Sequence, residues 1–162
     1  MRQVIVNVYQ FDELSDDAKE KALRELYDIN VDYEWWNMAY EDAKETANLK
    51  LTEVDLNRRY CKGNFISSAV DTAKAIIDNH GKDCETYKTA SQYLIERDKL
   101  IYDTPEDEDP EFEVIDKEFL NDILEDYRII LQQEHDYLTS EESIIETIKA
   151  NEYEFTVNGK MY

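Results

Sequence analysis

Two histidines, two cysteines and 39 carboxylates are what this 162-residue sequence offers for chemistry. The densest run of carboxylates is DTPEDEDPEFEVIDKE, Asp103 to Glu118, where nine of sixteen residues are acidic and one is basic. Closely spaced oxygen ligands suit a hard cation such as Ca²⁺, but an EF-hand loop needs Gly at its sixth position and Glu at its twelfth. No window of the run supplies both, so no dedicated metal site is expected. Carboxylate pairs at glycosidase spacing arise by chance among so many acids and imply no hydrolase. His80 and His135 have no second His or Cys at ligand spacing. Cys61 and Cys84 form neither a metal motif nor a disulfide framework. Glycine-rich phosphate loops, nucleophile elbows and Cys–His signatures are missing as well. The expectation is a protein that is not an enzyme and holds neither cofactor nor metal.

The charge balance narrows the partners. Eighteen bases against 39 acids leave a net charge of −21. Residues 1–100 carry 20 acids and 14 bases, whereas residues 101–162 carry 19 and 4. Nucleic acid and anionic membranes both require a basic face, so direct binding to either is excluded. Two classes stay open: acidity for solubility alone, or a basic partner surface reached by electrostatic steering. The composition is that of a folded chain, with 42% hydrophobic residues and twelve tyrosines. No signal-peptide run or 18-residue apolar stretch occurs, so a cytoplasmic protein with reduced thiols is expected.

These residues must be positioned by elements that the patterning outlines. RQVIVNVYQF alternates Val4, Val6 and Val8 with Gln3, Ile5 and Asn7, as a strand does. Ser15 then caps a helix with Asp16 and Asp17 in its first turn and Ala18, Ala22, Leu23, Leu26 and Ile29 inward. VDYEWWNMAYEDAKETAN places Tyr33, Trp36, Tyr40, Ala43 and Ala47 on one helical face, with Trp35 about 100° away and partly exposed. Two strands are expected near 49–57 and 60–66, the second interrupted at Lys62-Gly63-Asn64. Ser67 or Ser68 caps the next helix, and Gly81 occupies the position after its C-terminal cap, where His80 as an imidazolium would suit the helix dipole. A helix over about 83–102 turns Tyr87, Ala90, Leu94 and Ile101 inward. Pro105 and Pro110 bracket an acidic loop at 103–113. A helix over 117–138 follows, and Thr139 with Glu142 forms a capping box for the last one. The chain closes on alternating Tyr153, Phe155 and Val157 and an Asn158-Gly159 turn. The expected fold is therefore α+β: one domain over 1–162, five or six helices packed on a small antiparallel sheet joining the N- and C-terminal strands.

On the helix over 117–138, Phe119, Ile123, Tyr127 and Ile130 define the buried side. Glu118, Asp122, Glu125, Asp126 and Asp136 gather opposite. Carboxylates several Å apart along a helix can imitate the charges of a phosphate backbone. An amphipathic helix in any acidic protein also has an acidic outer face. The concentration of the excess in one third of the chain, with Lys117 at the start of this helix and Arg128 to one side as its two bases, puts a functional face level with the merely solvated one.

VYQFDELSDDAKEKAL, INVDYEWWNMAYEDAK, YCKGNF and NEYEFTVNGKMY resemble a recurring group of small acidic proteins encoded by bacteriophages and prophages. That resemblance covers most of the chain and implies, by analogy of class, an inhibitor of a host defence such as a restriction enzyme or CRISPR effector, acting as a DNA mimic. The resulting expectation is a non-enzymatic inhibitor in the bacterial cytoplasm. Its acidic surface, formed by Asp107, Glu108, Asp109, Glu118, Asp122, Glu125 and Asp126, would block a basic, nucleic-acid-binding groove on a host protein. The alternative is an adaptor or assembly protein that binds through an aromatic surface around Trp35, with acidity serving solubility only.

Overall fold

A computed structural model describes residues 1–103 and 110–162. In chain order the elements are β1 (Tyr9–Gln10), α1 (Asp16–Glu25), α2 (Asn37–Ala47), β2 (Leu49–Asp55), β3 (Tyr60–Phe65), α3 (Ala69–Asn79), α4 (Glu85–Asp103), α5 (Pro110–Leu138), α6 (Glu141–Ala150) and β4 (Glu154–Phe155). The fold is α+β, with the N- and C-terminal strands paired antiparallel. β2 and β3 form a second two-stranded sheet rather than joining the first. The chain divides into two compact units, one of residues 1–35 and 133–162 and the other of residues 36–132.

In the first unit the expected ten-residue strand shortens to two residues, Tyr9 opposite Phe155 and Gln10 opposite Glu154. The cause is the partner: after Phe155 the chain turns, with Thr156 N–H bonded to the Lys160 carbonyl at 2.8 Å, so β4 offers no further ladder. Ser15 caps α1 as expected, its hydroxyl accepting the Ala18 N–H. Ala18 and Ala22 are buried with Phe11, Leu14, Ile144, Ile148 and Phe155, and half-buried Leu23, Leu26 and Ile29 pack against them. The cap of α6 is Ser140, which accepts the Ser143 N–H at 3.3 Å. Thr139 is not the cap; its hydroxyl donates back to the His135 carbonyl at 2.9 Å, so the expected box with Glu142 does not form. Val157 is exposed and takes no part in β4.

In the second unit α2 starts at Asn37, five or more residues later than the aromatic pattern suggests. Val31, Tyr33, Trp35 and Trp36 are weak helix formers, and Tyr33 is exposed rather than inward. Ala43 and Ala47 are fully buried, as expected. Gly63 does not interrupt β3: the strand is continuous, and a Cβ there would lie 2.6 Å from the Lys50 carbonyl oxygen and 2.9 Å from Leu124 Cδ2. Ser68 caps α3. That helix ends on extended backbone at His80, without a left-handed glycine at Gly81. On α4, Ala90 and Tyr93 are buried while Ile101, expected inward, is exposed.

The acidic segment differs most from expectation. Asp103 is the last residue of α4, and Pro110 through Glu113 are the first turn of α5 rather than loop. Proline is suited to a helix's first turn because its missing N–H has no partner to lose there. Glu111 and Glu113 complement the dipole at that end. Further along α5 the buried stripe is Phe112, Phe119, Ile123, Leu124, Tyr127 and Leu131; Ile130, expected on it, is exposed.

Gly159 has φ +78, and a Cβ on it would fall 2.1 Å from the Ala18 carbonyl oxygen. Gly159→Ala is expected to lower stability by about 2 kcal/mol or more, since strain and clash add. Gly81→Ala, where the nearest atom is Cys84 Sγ at 3.8 Å, is expected to be neutral or mildly stabilising. Urea-unfolding midpoints of the two variants check the contrast, and equal midpoints would refute it.

Candidate functional site: an acidic groove between two helices

The residues that bring carboxylates together lie on α4 and α5. Thr89, Gln92, Tyr93 and Glu96 stand at i, i+3, i+4 and i+7 and so share one face of α4. Glu118, Asp122, Glu125 and Asp126 do the same on α5. With Phe119, these eight side chains line a groove of ≈ 450 Å³. Its aromatic lining is a stack: the Tyr93 and Phe119 rings lie 4.3 Å apart at 15°, and Phe65 continues the stack at 5.8 Å from Phe119.

The carboxylates around the groove are not equivalent. Glu118 and Asp122 are exposed, as is Glu96, which accepts a 2.7 Å hydrogen bond from Gln92 Nε2. Among the described residues no Lys or Arg pairs with these three. Glu125 is held by Arg128 through two bonds, Nε–Oε2 at 2.8 Å and Nη2–Oε1 at 2.6 Å, which keep its carboxyl below the usual range. Arg128 therefore compensates part of the row. Asp126 is half-buried and accepts the Thr89 hydroxyl at 2.5 Å. Burial raises its carboxyl above the ordinary value. The neighbouring Glu85, Asp122 and Glu125 push the same way, and the Thr89 bond opposes them.

A second polar cluster braces α4 and α5. Tyr93 donates to Asp116 Oδ1 at 2.6 Å, and Arg97 Nη1 reaches the same oxygen at 3.0 Å. The Arg97 guanidinium also lies over the Phe112 ring, 4.8 Å from its centroid.

Of the sequence-expected site residues, Glu118, Asp122, Glu125 and Asp126 come together here. Asp107, Glu108 and Asp109 fall outside the described residues. Trp35 belongs to the first unit, where it is half-buried with its ring 5.4 Å from that of His135. It precedes α2, so the helical angle to Trp36 does not apply. The α4 contribution, Glu96 above all, was missed in the sequence, although the spacing of 89, 92, 93 and 96 was there to see. What the sequence lacked was which helix faces it.

The cysteines and histidines do not line this groove. Cys61 is half-buried, burial pushing its thiol up to about 11, and Cys84 is exposed. His80 bridges Thr46 (Nε2, 2.8 Å) and Thr86 (Nδ1, 2.7 Å). Burial lowers its basicity against a smaller opposing effect of Asp42, so the neutral ring is favoured where an imidazolium was expected at the end of α3. Among the described residues no group of three or more His, Cys, Asp or Glu is arranged to hold a metal ion. No described helix is long and apolar enough to cross a membrane. No family model matches the chain, and no curated protein or solved structure is significantly similar to it.

The two shifted groups give opposite pH dependences. The lowered basicity of His80 contributes stability that is present above its unfolded value of about 6.5 and is lost as the pH falls through its folded value. Wild type should therefore lose more stability than His80→Gln on acidification; parallel curves would contradict this. The raised Asp126 carboxyl works in reverse, costing stability once ionised. Asp126→Asn, which can still accept from Thr89, should be more stable than wild type at neutral pH. That gap should close as pH falls through the carboxyl range in denaturant titrations.

Proposed function

We propose that this protein is a non-enzymatic inhibitor of the kind that phages encode against host defences such as restriction or CRISPR effectors. It acts in the bacterial cytoplasm by presenting the acidic groove and the adjoining face of α5 to a basic, nucleic-acid-binding surface of a host protein. The observation that carries this reading is the convergence of Glu96, Glu118 and Asp122, exposed and unneutralised, on one concave surface with aromatic lining. Carboxylates four residues apart on a helix repeat about every 6 Å, a spacing of the order that an array of basic side chains meets on a nucleic-acid strand. The groove walls add what a flat acidic face lacks, a recess into which a Lys or Arg stem can lie against Phe119 and Tyr93. The adaptor reading around Trp35 has less support, because that ring is half-buried on His135.

Glu118→Lys with Asp122→Lys tests the proposal without breaking the Glu125–Arg128 pair or the buried Asp126. In a pull-down from host lysate, the wild-type protein is expected to retain a nucleic-acid-binding protein that salt elutes and that added DNA or RNA displaces. The double variant is expected to bind it about tenfold more weakly or worse, with an unchanged melting temperature. Glu41→Lys with Glu45→Lys, on exposed positions of α2 outside the groove, makes the same change in net charge and is expected to bind as wild type. Equal loss in both variants would leave net charge, not the groove, as the cause.

A further inference from the structure

We draw no further inference here: the strongest candidate, the basic end of the β2–β3 hairpin with Arg58, Arg59 and Lys62, has Arg58 paired with Asp55 and Lys62 with Glu53, and nothing in the structure shows what covers the exposed Arg59.

Discussion

The stack of Tyr93 on Phe119 is the contact on which the candidate site depends. Aromatic pairs of this kind add about 0.5–1.5 kcal/mol beyond the area they bury. Here the 4.3 Å ring separation also sets how closely α4 and α5 approach. At that approach Asp126 loses part of its water and turns to the Thr89 hydroxyl, while Glu96 and Glu118 come to face the same groove. The Tyr93 hydroxyl is satisfied by Asp116, which Arg97 in turn neutralises, so the stack and the polar brace are one assembly.

The excess of carboxylates is accommodated in two ways. Where acids approach the interior they are answered, Asp116 by Arg97 and Asp126 by a hydroxyl, while the exposed Glu125 is held by Arg128. On the groove's outer wall they are left to solvent, where like charges cost little at any one position but sum to a strong local field.

Much of the architecture was legible because it rests on local rules. Ser15 and Ser68 cap helices where short polar side chains precede an apolar period, and β2 and β3 lie where β-rich segments flank a turn. The errors also share a cause. Tyr33 and Trp35 were placed on a helix by spacing alone, although their weak propensity delays its start to Asn37. The Val-rich N-terminus is patterned as a strand, but only two residues find a partner. Pro110 read as a breaker opens a helix instead, since proline's effect depends on whether it enters the first turn or the interior. Gly63 read as a gap is a point of close approach between β3, β2 and Leu124.

The sequence by itself determined the charge, the α+β class and the row Glu118, Asp122, Glu125 and Asp126. All of these follow from composition or from the 3.6-residue period of one helix. Only tertiary structure decided that α4 supplies the opposite wall and that Asp126 is half-buried. Those outcomes depend on which helix packs against which and at what distance. That choice is made by matching shapes across residues distant in the chain, and no local pattern encodes it.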